Sequence, residues 1–344
     1  MSLQRCPPEI LIKIFTLICL DDGSTGCSLS LVSRHIREAS STVRLQSVYL
    51  NDIDRMQLFL NTVSGRSPAL RRVKHLYLSN CGSRSREEKQ PYFKVYTDIM
   101  TLVGHTLVTL SVSMIPYIPF HALTPHGVDL RNLHSLMVQC PDFGGVKMPY
   151  QPAQRNLTPA SLSSLHRLHL HGMSHYGDVS VLLGDVASAA PKLQILNISN
   201  IRQVSTLPSV LCKALSTHQI QDSSVYFPSC LQHVIVQPTR FMPTRNGCII
   251  SYYGQEDHVE MMDGLNRLAA KSPRVILGPE SYYLNEDIVS DWLDVISGGD
   301  GPWRIPPQVS AGTKRLEAEK RKRREQRTIA GEEDYNFDYF RLYN

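Results

Sequence analysis

The apolar positions of this chain follow two rhythms. Near the start, Pro7-Pro8 suits a helix beginning, with Glu9 in the first turn near the positive end of the dipole. Ile10, Leu11, Ile14, Phe15, Leu17 and Ile18 then recur every three or four residues and make a broad stripe on one helix. Asp21 to Gly26 ends that helix. A second helical pattern runs from Leu29 through Val32, Ile36 and Ala39, with Arg34 and Arg37 on its polar side. Two helices this short cannot bury enough surface to be stable alone, so they need the rest of the chain or another protein.

Further along, the rhythm changes to a short phrase, apolar at relative positions one, four and six. Its copies are Val73-Leu76-Leu78, Leu107-Leu110-Val112, Leu133-Leu136-Val138, Leu165-Leu168-Leu170, Leu193-Leu196-Ile198 and Leu231-Val234-Val236. A weaker seventh carries Val275 and Leu277. Marked by position four, the copies lie 34, 26, 32, 28, 38 and 41 residues apart. Positions four and six are two apart, so in a strand both face one core, while position one enters from the preceding turn. Each phrase supplies one strand, and the intervening residues return the chain to start the next. This is the pattern of a leucine-rich repeat solenoid, whose units stack because none buries its apolar face alone. Residues 52–63, 93–103, 179–190, 207–215 and 259–270 have helical periodicity and suit the return path. Residues 141–159, rich in Pro, Gly and Gln, read as an irregular loop, and 286–296 as a closing helix.

In that register positions five and seven form an exposed ladder: Tyr77/Ser79, Ser111/Ser113, Met137/Gln139, His169/His171, Asn197/Ser199 and Ile235/Gln237. It is neutral and mixes polar with apolar groups, a character that suits protein recognition better than a phosphate backbone. The run with His166, His169, His171, His175 and Asp178 has spacing that a zinc ion can use. Two histidines on one strand read more simply as a polar binding surface, so no metal is expected. Catalytic patterns are absent: no GxGxxG after a strand, no GxxxxGK[ST], no HExxH and no GxSxG. Neither enzymatic activity nor a cofactor is expected.

Charge adds one correction. The net +5 is matched by residues 314–327, where eight basic and three acidic side chains sum to +5, leaving the remainder near neutral. The body of the chain therefore does not read as a nucleic-acid binder. KRKRR at 320–324 is a candidate nuclear import signal. No window approaches eighteen consecutive apolar residues, so no membrane span is expected. Glu9 and Lys13 interrupt the first apolar run, which argues against a signal peptide. The 8 cysteines are scattered without a CxxC and read as reduced thiols. An intracellular protein, cytoplasmic or nuclear, is expected.

CPPEILIKIF followed by LSLVSRHIREAS resembles the F-box, whose pattern opens with Leu-Pro-x-Glu and hydrophobic pairs and continues to a Val-Cys/Ser-Arg segment. The whole chain resembles a fungal F-box protein with degenerate leucine-rich repeats. Cys6 stands where the pattern has leucine, and Ile36 where an aromatic is common. The resemblance implies an α/β protein in three parts. These are a small N-terminal helical F-box module (1–48), an irregular leucine-rich repeat solenoid with a parallel sheet (49–297), and a charged, partly disordered C-terminal extension (298–344). It also implies a substrate-recognition subunit that docks on a Skp adaptor, and through it a cullin scaffold, to recruit a protein for ubiquitination. Pro7, Ile10, Leu11, Ile14, Phe15, Leu31, Val32 and Ile36 would then form or support the adaptor-binding surface. Tyr77, Met137, Gln139, His169, His171, Asn197, Ile235 and Gln237 would face the substrate. Without the adaptor, the same architecture is a repeat scaffold whose N-terminal helices serve as a cap.

Overall fold

The computed structural model describes residues 6–79, 89–113, 123, 128–139, 162–173, 179–201, 203–216, 226–240, 249–281 and 285–305. The expected loop at 141–159 and the basic segment 314–327 lie outside these residues. The fold is α/β, built on an 8-stranded parallel sheet in which the strands stand in chain order. They are β1 (Ser47–Leu50), β2 (His75–Ser79), β3 (Thr109–Ser113), β4 (Ser135–Gln139), β5 (Arg167–His171), β6 (Ile195–Ile201), β7 (His233–Pro238) and β8 (Val275–Leu277).

The irregular intervals in sequence become a regular ladder in space. Leu76, Leu110, Leu136, Leu168, Leu196, Val234 and Val275 pair in one row, and Leu78, Val112, Val138, Leu170, Ile198, Val236 and Leu277 in the next. Val48 and Leu50 extend both rows onto β1. Leu45-Val48-Leu50 is thus a further copy of the phrase, overlooked because it adjoins the N-terminal helices.

A repeated hydrogen bond holds the register. Gln46 O accepts from the N–H groups of both Lys74 (2.8 Å) and His75 (2.9 Å), and Lys74 O from both Val108 and Thr109. The same double acceptance recurs at Val108, His134, His166 and Gln194, each carbonyl serving two donors of the next unit. Just before, the position-one residues are drawn inward by tight turns: Leu107 N–H donates to Gly104 O, Leu133 to Leu130 O, Leu165 to Leu162 O and Leu193 to Ala190 O. Every one of these leucines is fully buried.

Helices return the chain over one sheet face. These are α4 (Ile53–Ser64), α5 (Lys89–Val103), α6 (Val179–Ala189), α7 (Leu207–Leu215) and α8 (Ile249–Lys271), numbered after three N-terminal helices described next. Met56, Phe59 and Val63 of α4, Ile99 and Met100 of α5, Leu183 and Val186 of α6 and Leu211 of α7 share a core with strand positions four and six. The Asp52 carboxylate starts α4 by accepting from Arg55 N–H at 2.7 Å.

The N-terminal helices are three rather than two: α1 (Pro8–Ile18), α2 (Ser24–Val32) and α3 (Arg34–Ser40). Extended backbone at Ser33 breaks the second pattern, and the Ser33 hydroxyl caps α3 by accepting from Ile36 N–H. Asp21 turns the chain between α1 and α2, its carboxylate accepting from Gly23 N–H, Thr25 N–H and the Ser24 hydroxyl. Burial pulls the Asp21 carboxyl upward, but these hydrogen bonds outweigh it and hold it below the usual carboxylate range. Gly23, at φ 98°, takes the left-handed conformation this turn requires. The helices are stitched to the sheet: Gln46 Nε2 donates to Thr16 O (3.0 Å), Tyr49 N–H to Asp22 O (3.2 Å), and the Ser47 hydroxyl to Asp21 O.

One contact makes this junction fragile. A Cβ built on Gly26 would stand 2.1 Å from Arg44 O, a backbone atom that cannot swing aside. Gly26→Ala is expected to destabilise the chain by about 1–3 kcal/mol, the usual cost of overpacking, measurable as a lower urea midpoint with unchanged slope.

Candidate functional site

Two surfaces follow from the sequence reading, and the structure treats them differently. On the N-terminal helices it divides the eight residues of the candidate adaptor surface. Leu11, Phe15 and Ile36 are internal, packed with Cys19, Ala39 and Val43 in a small core of their own. They hold the three helices together and present almost no surface, so of the two roles, forming or supporting the surface, theirs is to support it. Pro7, Ile10, Ile14, Leu31 and Val32 are exposed. Leu31 and Val32 are 80% and 66% exposed at the end of α2. Leu17 and Ile18 are also exposed, at 73% and 46%, and extend the outward stripe of α1 through spacings of four, seven and eight from Ile10. Their place in the sequence stripe was the signal that should have added them. Large side chains left this open on adjacent turns form the kind of patch that marks an interaction surface.

The second surface is the candidate substrate ladder, and here the expectation of exposure is overturned. Tyr77, Met137, His169, His171, Asn197 and Ile235 are all buried, and Gln139 and Gln237 half-buried. The cover is the chain itself. Helix α9 (Asn285–Ile296) lies over the sheet, and a short 3-10 turn (Gly301–Trp303) follows it. Ile288, Trp292, Val295, Ile296 and Trp303 form a separate apolar cluster with Tyr77 and Met137. Residues 298–303, grouped by sequence with the charged extension, therefore belong to the packed body. The physical reason is that a parallel sheet needs both faces covered. An amphipathic helix after the last strand has no ninth strand to lie behind, and turns to the other face.

At one side of this cover Trp292 packs against Tyr77 (centroids 5.6 Å, edge-on) and Tyr49 (6.5 Å), which themselves lie 4.9 Å apart. Farther along the sheet, Trp303 Nε1 donates to Leu168 O at 3.1 Å, and Asn197 Nδ2 donates to Pro302 O. The Arg167 guanidinium stands 4.8 Å over the Trp303 ring while its Nε donates to Ser135 Oγ at 3.0 Å. Burial lowers the Arg167 pKa and Asp300 opposes that shift.

The histidine pair joins a buried polar network. His169 Nε2 and His171 Nδ1 both meet Ser199 Oγ, at 2.6 and 3.1 Å. Asn200 links His171 to the Thr239 hydroxyl, and takes φ 53° to do so. A serine beside histidines has the elements of a nucleophile and a base, but Ser199 is fully buried. Among the described residues no group of three or more His, Cys, Asp or Glu side chains could hold a metal ion; His175 and Asp178 lie outside them. No helix among the described residues is long and apolar enough to cross a membrane. No family model matches this chain, and no curated protein sequence matches it.

Burial pushes the His169 pKa down to about 3, and burial with the neighbouring Lys74 charge takes His75 to about 4. Both are neutral in the folded chain above those values, whereas an unfolded histidine protonates near 6.5. The unfolded state thus binds more protons below pH 6.5, and stability falls as pH drops through that window. Each buried histidine contributes up to about 1.4 kcal/mol per pH unit. His169→Asn is expected to flatten the dependence of the urea midpoint on pH between 6.5 and 4, and to leave part of it with His75.

Proposed function

We propose that this protein is the substrate-recognition subunit of a Skp-cullin-F-box ubiquitin ligase, docking on the adaptor through its N-terminal helices and recruiting a protein through its leucine-rich-repeat-like body. The observation that carries the reading is the division within those helices. Leu11, Phe15 and Ile36 close a small core, so the module has a fixed shape. Ile10, Ile14, Leu17 and Ile18 of α1, with Leu31 and Val32 of α2, then face outward with large apolar side chains and no internal use. A helix stripe of that kind is completed by laying it against another protein. The motif resemblance in 4–44 names which one: a Skp adaptor, attached in turn to a cullin. Chemistry at the transferred ubiquitin falls to other subunits in this reading, and the chain works by holding a substrate near them.

One observation favours a second reading. The bonds from Gln46, Ser47 and Tyr49 tie the helices to the first strand, as a structural cap would be tied. A repeat-based scaffold with a helical cap and no adaptor needs only those bonds, but it leaves the outward stripe without a purpose.

Co-purification with a purified Skp adaptor separates the two. The full chain is expected to form a stoichiometric complex. Ile10→Asp with Ile14→Asp is expected to weaken it by about 2–4 kcal/mol, the loss of two apolar anchors, with the thermal midpoint unchanged because neither side chain is internal. Phe15→Asp would instead open the helical core and report on folding alone. A well-folded chain that binds no adaptor overturns the ligase reading in favour of the cap.

A further inference from the structure

Two arginines at the seam between the N-terminal helices and the first repeat have no partner within the chain. Arg44 follows α3, and Arg66 follows α4. Arg44 Nε and Arg66 Nη1 are shielded from solvent without a hydrogen-bond partner. Among the described residues neither guanidinium has a carboxylate in ion-pair reach, nor an acceptor for its other N–H groups. Arginines nearby are placed differently: Arg34 pairs with Glu38 at 2.9 Å, Arg37 Nε donates to Ser30 O at 2.6 Å, and Arg55 stands 3.4 Å from the Asp52 carboxylate. The carbonyl end of α4 does not occupy Arg66 either. Arg71 takes that role, its Nη2 donating to Ser64 O (3.0 Å) and its Nε to Arg66 O (2.7 Å).

The two side chains also repel each other. Burial lowers the Arg66 pKa, and the Arg44 charge lowers it further. The sequence offers no relief nearby. From Arg55 to Arg86 it holds no acidic residue, while Arg71, Arg72 and Lys74 add positive charge. Neither arginine can escape by losing its proton, because a guanidinium stays charged in proteins. Like charges held partly out of water with empty donors are costly, and a bound anion satisfies both at once.

Both residues stand on fixed backbone. Arg44 N–H donates to Ser40 O at 2.9 Å, and Gly26 lies close against Arg44 O. Arg66 N–H donates to Val63 O at 3.1 Å, while Arg71 holds its carbonyl. Their attachment points are therefore set before any ligand arrives, which lowers the cost of binding one. Two planar forks with two positive charges match a tetrahedral oxyanion of charge about −2, which a phosphate group approaches at neutral pH. We propose that Arg44 and Arg66 form a phosphate-binding site, in which one phosphate group bridges the end of α3 to the end of α4. The bridge ties the N-terminal helices to the first repeat, beside the bonds from Gln46, Ser47 and Tyr49. A free phosphate ion and a phosphate monoester present the same oxygens, and the test separates them.

The test titrates the full chain, in excess chloride, with inorganic phosphate or with phenyl phosphate as the monoester, followed by phosphorus NMR. Saturable binding of at least one is expected. Arg44→Gln and Arg66→Gln are each expected to weaken it by about tenfold or more, the loss of a charge-assisted donor fork. Arg72→Gln, which alters an exposed neighbour, is expected to change it by less than about twofold. Tighter binding of inorganic phosphate assigns the site to the free ion, and tighter binding of the ester to a phosphorylated ligand; either supports the site. Without phosphate, both glutamine variants are expected to keep or raise the urea midpoint, because each relieves the repulsion. A lowered midpoint there gives the arginine an internal structural role and overturns the inference. Absence of saturable binding overturns it too. So does binding that either glutamine variant retains, or that Arg72→Gln weakens equally, since the anion then answers only to the general charge of the region. None of these outcomes bears on adaptor binding, so this site and the N-terminal reading stand or fall separately.

Discussion

The architecture depends on one backbone carbonyl, just before each strand from β1 to β6, that accepts two N–H groups from the next unit. Gln46, Lys74, Val108, His134, His166 and Gln194 each do this. The arrangement fixes the phase of the following strand, because a slip of one residue would turn every side chain to the opposite face. With phase fixed, connections of 26 to 41 residues between position-four markers impose no change on the ladder. Leu76 still meets Leu110, and Leu196 still meets Val234. A unit can thus carry a long return path or a short one and stack equally well. Loop length costs only slowly growing entropy, whereas a misplaced apolar row would cost burial along the whole sheet.

The two-residue alternation that builds this core also creates its opposite face, and the chain has to dispose of both. Among the described residues, helices α4–α8 close the first face on the returns that lead to β2, β3, β6, β7 and β8. The second is closed once, by α9 and the turn at Gly301–Trp303, after the repeats have ended. Its closure sets Tyr77, Met137 and Asn197 under that segment. Burial then keeps His169 neutral down to about pH 3. The same economy governs the N-terminal helices. Leu11, Phe15 and Ile36 suffice to pack them, and the other half of the apolar stripe remains outside.

The strands were legible because positions four and six answer to a local rule, the strand period of two. Six copies predicted β2 to β7 in the register observed, and the weaker Val275-Leu277 predicted β8. The copy at Leu45-Val48-Leu50 escaped notice because it abuts the helical region. The break at Ser33 escaped because a single extended residue barely disturbs three- and four-residue spacing. What lay beyond a local rule was the partner of each surface. Periodicity identified Tyr77, His169 and Asn197 as sharing one face, but a contact made by Trp303 across more than a hundred residues leaves no mark on it. For the same reason Phe15 and Ile14, neighbours in one stripe, could not be sorted into inside and outside until α3 was in place.

Residues 285–303 lie closed over the second face of the sheet, and the chain carries its own reporter for that closure. Both of its 2 tryptophans, Trp292 and Trp303, belong to that segment and are buried there. Acrylamide quenching of tryptophan fluorescence in the native full chain is therefore the most direct measurement. The account predicts blue-shifted emission and quenching at least fivefold weaker than in urea. Emission at the wavelength of the unfolded chain, with quenching as strong as in urea, would show the segment standing off the sheet and contradict it.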